Sequence, residues 1–339
     1  MRGTNPTITR RVRLALPGAA AAAFLGIATF AGNTPAQAQD VNRMILEEIV
    51  VTAQRREENL QDVPISVSAM RGDRLSTIVE AGEDVRALAN RIPALYAESS
   101  NGRLAPRFYM RGLGNSDFDL AASQSVSIIM DEVVQENVIL KSFPLFDIER
   151  VEVLRGPQGT LFGRNTPAGI VKFDTRKPTE EMNGYVSATV GTHGTMNVEG
   201  AIGGSLTAND TLLGRVSVLS QNREDWISNG FTGEEDAMGG FNETAWRAQL
   251  LARPNDRLSA LLNVHGRNLN NGTASIFRAN IFDPGTNSLN DNFIRDTVFF
   301  DEGDNNPQEA QGFGASLKVD WDLADNLTLT SITAHEDVH

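Results

Sequence analysis

The sequence predicts a compact α+β domain followed by an antiparallel, incomplete β-barrel of the outer-membrane kind. Three observations carry that reading. From residue 62 to 178 helical and strand periods are mixed; beyond 183 the helical period gives way to a two-residue alternation; and the links between alternating segments sort by length. Composition narrows the class further. With 339 residues and 40% hydrophobic side chains the chain has enough apolar material for two or three cores. It has no cysteine, which removes disulfides, thiol nucleophiles and cysteine metal sites together. The four histidines, His193, His265, His335 and His339, form no ligand run beyond the terminal pair spaced by four, so no metal and no cofactor is expected. A net charge of −13 excludes the basic stripe that nucleic acid requires.

Taken in order, residues 1–38 read as a signal peptide: Arg2, Arg10, Arg11 and Arg13 without an acid, an apolar run from 14 to 30, and a small-x-small site at Ala36-Gln37-Ala38. A membrane anchor is the alternative, but the run is short and no basic stop-transfer flank follows. Residues 39–61 form a short lead. In it Ile49, Val50 and Val51 are β-branched and favour extended backbone, and residues 54–61 are a charged, polar linker that supplies no partner strand. Such a strand can add to the edge of another protein's sheet; its alternative is a first strand of the chain's own domain. Residues 62–180 should hold strands over 63–69, 125–130, 150–154 and 169–173, and a short helix over 83–92 ended by Pro93.

Residues 181–339 should hold about seven barrel strands, over 184–190, 197–206, 212–220, 245–253, 258–267, 312–323 and 327–335. Their apolar face includes Trp246, Leu250, Leu262, Val264, Phe313, Leu317 and Trp321. Links at 207–211, 254–257 and 324–326 are short, whereas 221–244 and 268–311 are long. A soluble sandwich with one wet face shares the alternation; short turns on one rim and long loops on the other favour the membrane barrel.

Three stretches then resemble one family, the TonB-dependent outer-membrane receptors. They are Glu47-Glu48-Ile49-Val50-Val51-Thr52-Ala53; Arg111-Gly112-Leu113; and the run from Asp147-Ile148-Glu149-Arg150-Val151-Glu152-Val153-Leu154-Arg155-Gly156-Pro157-Gln158-Gly159 to Gly163-Arg164-Asn165, continuing to Gly169 and Pro178. The resemblance implies that 62–180 is a plug inside the barrel and that Glu48, Ile49, Val50, Val51, Thr52 and Ala53 bind TonB. It further implies energising by the ExbB-ExbD complex, a small-molecule ligand such as a ferric siderophore, and contact with outer-membrane lipid and lipopolysaccharide. Within the third run, Glu149, Arg150, Glu152, Arg155 and Arg164 are expected to lock the plug to the barrel wall. Gly156, Gly159, Gly163 and Gly169 are expected at tight turns, since Arg164 stands where a phosphate loop would have lysine. Arg111, Asp117 and Asp119 are assigned to a ligand-facing plug loop. Glu132 follows Asp131 where the family commonly has glycine, so that turn should be strained.

Plugged transporters close about 22 strands. The expectation is therefore a chain that ends early, as a fragment or truncated product. A passive porin-like channel is the alternative function and would need neither a TonB box nor a plug; a periplasmic plug fragment that transports nothing is another. No nucleophile elbow or paired carboxylates point to an enzyme.

Overall fold

A computed structural model describes residues 10–15, 50–52, 55–56, 58–78, 84–115, 117, 119, 122–274, 276, 281–301, 305 and 307–339. The expected cleavage site at 36–38 lies outside them, as do Glu48, Ile49 and Ala53.

In chain order the strands begin with β1 (Arg10–Ala15), β2 (Val50–Val51), β3 (Glu58–Asn59) and β4 (Ser66–Arg71), followed by helix α1 (Gly72–Ile78). The expected helix over 83–92 is a 3-10 turn, Val85–Asn90, started by Asp84, whose carboxylate accepts from the Arg86 N–H. Next come β5 (Leu95–Glu98), β6 (Arg107–Met110), β7 (Val126–Met130), β8 (Val133–Val134), a 3-10 turn at Ile139–Lys141, β9 (Ile148–Arg155), α2 (Gly159–Phe162) and β10 (Gly169–Thr175). The central sheet of this domain runs β4-β9-β10-β7-β8. Strands β7 and β10 are buried at every position, because the sheet is covered on both faces. Val126, Ile128, Val151, Val153, Val171 and Phe173 face one core with Leu88 and Phe108. Ile129, Leu154 and Ile170 face a second core with Val51 and Phe162.

Gly169 starts β10 at φ 147°, and a Cβ there would stand 2.3 Å from the Leu154 carbonyl oxygen and 2.4 Å from Met110 Sδ. Gly169→Ala should therefore destabilise the domain by about 1–3 kcal/mol, measured by urea unfolding of the chain. Gly156 and Gly163 also have positive φ, but Gly159 opens α2 in ordinary backbone with only van der Waals contact at 3.7 Å, so it is no turn glycine. The β7–β8 turn forms with Asp131 at φ 46° and Glu132 at φ 70°, the left-handed pair of a two-residue hairpin. Glu132 is compensated there by an ion pair to Lys172 Nζ at 2.6 Å.

The second part is a sheet of β1-β11-β12-β13-β16-β17-β19-β20, every neighbouring pair antiparallel. Its strands are β11 (Asn183–Val190), β12 (Met196–Ser205), β13 (Leu212–Arg223), β16 (Phe241–Asn255), β17 (Leu258–Thr273), β19 (Pro307–Ala324) and β20 (Leu327–Val338). All seven expected strands are present and most run longer than the alternation alone suggested. The outer face carries exposed Val186, Val216, Val218, Trp246, Leu250, Leu262, Phe313, Leu317 and Trp321. The inner face is polar.

Two features go beyond those expectations. The long loops are not irregular throughout: β14 (Ile227–Asn229) pairs antiparallel with β15 (Glu234–Met238) and parallel with β18 (Thr297–Val298), a small sheet tied by Asn229, which donates to Phe300 O and Asn305 Oδ1. And β1, inside the expected signal segment, pairs with β11 from Arg10↔Val190 to Ala15↔Tyr185. An open edge of unpaired amides accepts any extended segment within reach, which is a property of β11 more than of the arginine-rich run.

Candidate functional site

The plug domain stands end-on against the inner face of the large sheet. Period-two alternation and register put Arg215 of β13, Gln249 of β16 and Asn263 of β17 side by side on that face. Opposite them lie the ends of the central plug strands. Arg215 Nε and Nη2 donate to the two Asp147 oxygens at 2.7 and 2.6 Å, Gln249 Nε2 donates to Thr175 Oγ1 at 2.8 Å, and Asn263 Nδ2 donates to Asp131 Oδ2 at 3.0 Å. Asp131 also accepts from the Thr175 N–H and hydroxyl, so the plug side of the row is itself connected. The Arg215–Asp147 pair is bidentate, with side chains 3% and 1% exposed.

Above this row two more wall arginines hold the segment that leads into β9. Arg247 stacks over Phe146, its guanidinium carbon 4.6 Å from the ring centroid, and Arg267 donates to the Ser142 carbonyl. Lys141, buried in the same segment, is pushed down to about 8 by burial. At the tip of the β5–β6 hairpin Arg103 reaches Glu243 at 2.8 Å and lies 3.9 Å over Phe241, while Arg267 reaches the other Glu243 oxygen at 2.7 Å. A cavity of about 70 Å³ lies along the seam, lined by Ile139, Phe143, Arg247 and His265.

A second polar centre lies inside the plug, where the lead segment enters. Arg150, Glu152 and Leu154 share one face of β9, and Lys172 and Asp174 share that face of β10; register pairs Glu152 with Lys172 and Arg150 with Asp174. Thr52 caps this cluster. Its N–H donates to Glu152 Oε1 at 2.7 Å, and its hydroxyl accepts from Lys172 Nζ at 2.6 Å and Arg150 Nη2 at 3.2 Å. Arg150 Nε lies 2.7 Å from Asp174 Oδ2 and 3.1 Å from Glu152 Oε1. Burial works against the charge on each group. For Asp174, Lys172 and Arg150 the opposite charges win, so Asp174 is held below the usual carboxylate range and both cations above theirs. For Glu152 burial wins and its carboxyl is raised.

The expected lock residues thus act within the plug and not across to the wall. Besides Arg150 and Glu152, Arg155 donates to Pro93 O and Ser68 Oγ, Glu149 lies 3.7 Å from Arg71, and exposed Arg164 lies 3.3 Å from Glu136. In the Arg215–Asp147 pair the charges are reversed relative to expectation, the plug contributing the carboxylate and the wall the cation, whereas Arg103 on Glu243 is a plug cation on a wall carboxylate. Val50 and Val51 are extended, as expected, but they do have a neighbouring partner. Val50 pairs with Asn59 and Val51 with Glu58, and Val51 is fully buried. A two-residue strand needs no apolar signal when its main chain makes the contact, so β3 forms within the polar linker. Arg111, Asp117 and Asp119 are exposed, with Arg111 at φ 52°; the Asp117 N–H donates to Asn115 Oδ1 and the Asp119 N–H to Asp117 Oδ1. Reasoning from motifs missed Asp131, Thr175, Arg215, Gln249 and Asn263. A usable signal existed for three of them, since polar side chains recur at the inward positions of otherwise apolar strands.

Residues 59–170 match the TonB-dependent receptor plug domain family. The pesticin receptor of Yersinia pestis is 29% identical over 219 residues, 62% of this chain and 30% of that protein. The catecholate siderophore receptor Fiu of Escherichia coli K12 is 26% identical over 243 residues, 70% of this chain and 29% of that protein. Among solved structures, the ferric yersiniabactin uptake receptor FyuA from Yersinia pestis superposes with a TM-score of 0.70 at 21% identity, covering 81% of this chain and 41% of the receptor. The chain spans less than a third of the length of these curated relatives.

Proposed function

We propose that this chain, whose residues 59–170 match the plug domain family of the TonB-dependent receptors, is such a receptor and serves energised uptake of a ferric siderophore across the outer membrane. The observation that carries this reading is the seating of the plug: an α+β domain docked end-on to the polar inner face of a sheet whose outer face is apolar. In this reading segment 48–53 is the handle. TonB captures it as an added strand, powered by the ExbB-ExbD complex, and the pull reaches the plug sheet through Thr52. Lipid and lipopolysaccharide surround the outer face, and Arg111, Asp117 and Asp119 face the incoming ligand. The siderophore class rests on the relatives, which include receptors for catecholate siderophores and ferrioxamine B.

The test is radio-iron uptake into iron-starved cells in which this chain supplies the receptor, with iron presented as catecholate, hydroxamate and yersiniabactin-type chelates. Saturable uptake of one class that disappears in cells without TonB is expected. Uptake proportional to concentration and indifferent to TonB would establish a passive channel instead.

A further inference from the structure

The cluster under Thr52 is unbalanced. In direct contact three carboxylates, Glu132, Glu152 and Asp174, share two cations, Lys172 and Arg150, and Lys177 adds only a longer-range attraction on Asp174. Every one of these contacts is within 3.3 Å, and Glu152, Lys172, Asp174 and Arg150 are all buried. The surplus negative charge has one identifiable seat. Asp174 is shared by both cations, and Glu132 is partly exposed and holds Lys172 from the β7–β8 turn. Glu152, with no exposure, relies on Arg150, on Lys172 across the ladder, and on the N–H and, at 3.3 Å, the hydroxyl of Thr52, which close the site. From β4, Ala69 lies opposite Glu152 and brings no charge; the nearest charged residue on that strand, Arg71, is opposite Arg150 and lies near Glu149.

We propose that Glu152 is a destabilising keystone beneath the TonB-binding strand: docking of Thr52 encloses one carboxylate too many, which keeps β2 releasable. This rests on the reading of segment 48–53 as the handle. In the docked state Val51 is fully buried and β2 is already paired to β3, so TonB can gain the strand only after Thr52 leaves. Departure of Thr52 lets water reach Glu152 and relieves the cost of enclosing its charge. Neutralising Glu152 leaves two carboxylates on two cations and should tighten docking. An ordinary structural ion pair predicts the opposite sign, since losing a partner from such a pair loosens what it holds.

The pH dependence follows from the same geometry. Burial raises the Glu152 carboxyl in the docked state, and hydration returns it toward the ordinary range once Thr52 leaves. Docking therefore gains stability from protonation. That gain is fully present below the undocked value and is lost as pH rises through the docked one.

The chain has no cysteine, so a single Val50→Cys spin label reports β2 alone. In the full chain the mobile fraction of its spectrum should rise with pH, the docking constant changing by up to about tenfold per pH unit between the two Glu152 values. Glu152→Gln should show a smaller mobile fraction at neutral pH and a flat profile, whereas Thr52→Val, which removes the hydroxyl, should raise the mobile fraction throughout. A Glu152→Gln label as mobile as the parent's or more so, or a profile that follows pH as the parent's does, would overturn the proposal; the parent titration needs no variant to fold. Binding of the TonB periplasmic domain is measured separately. If Thr52→Val frees the strand and that domain still fails to bind, the partner reading falls while the keystone stands.

Discussion

Asp147→Ala will loosen the seating of the plug by about 3–5 kcal/mol, because it strands the Arg215 guanidinium in a site where that side chain is 3% exposed. The loss of two short charge-assisted bonds is the smaller part; the larger part is a buried cation left with a neutral partner, Asn183 Oδ1, which accepts from its Nη1 at 2.8 Å. Arg215→Met combined with Asp147→Leu should recover most of that loss, as buried pairs replaced by apolar groups of similar size often do. Urea unfolding of the four members of the cycle measures it. Coupling below about 1 kcal/mol would mean that the pair behaves as a solvated one. Arg155 provides the contrast: its bonds go to Pro93 and Ser68, so cycles between Arg155 and wall carboxylates should give none.

Val50→Pro should abolish energised uptake. Proline removes the N–H that an added strand needs and cannot extend the ladder with TonB. Ligand binding should persist, because the contacts that seat the plug, at Asp131, Asp147 and Thr175, lie elsewhere. The structure adds a second consequence: Val50 also pairs with Asn59, so the same change should free β2 from its docked position. Ligand binding and radio-iron uptake measured on the same cells separate the two. Uptake at the parent rate would remove segment 48–53 from the mechanism.

Much of the architecture is readable in particular residues. Trp246, Ala248, Leu250 and Ala252 alternate with Arg247, Gln249, Leu251 and Arg253, and β16 presents the first set outward and buries Arg247, Gln249 and Leu251 on the inner face. The same period assigns faces in β13, β17 and β19. Within the plug, Lys172 and Asp174 alternate with Val171 and Phe173, so a charged stripe on an otherwise buried strand was visible as well. Its partner was not. Nothing in the run around Thr52 says that the hydroxyl of a lead segment will close a cluster about a hundred residues away in sequence.

The sequence by itself determined the α+β domain ahead of a strand sheet, the inward and outward faces, and the motifs that resemble a plug domain. These are local properties, because side-chain period and turn chemistry act over a few residues. Only the tertiary structure decided which charge meets which. Arg150 and Arg155 are in the motif expected to grip the wall, yet Arg150 turns to Asp174 inside the plug and Arg155, at the other end of β9, to Pro93 and Ser68 of the plug, and the wall is met by Asp147, one residue before that strand. The physical reason is direction and register: a strand commits alternate side chains to opposite faces, and which face meets the wall depends on how the whole domain is seated, through contacts between residues 68 to 132 positions apart.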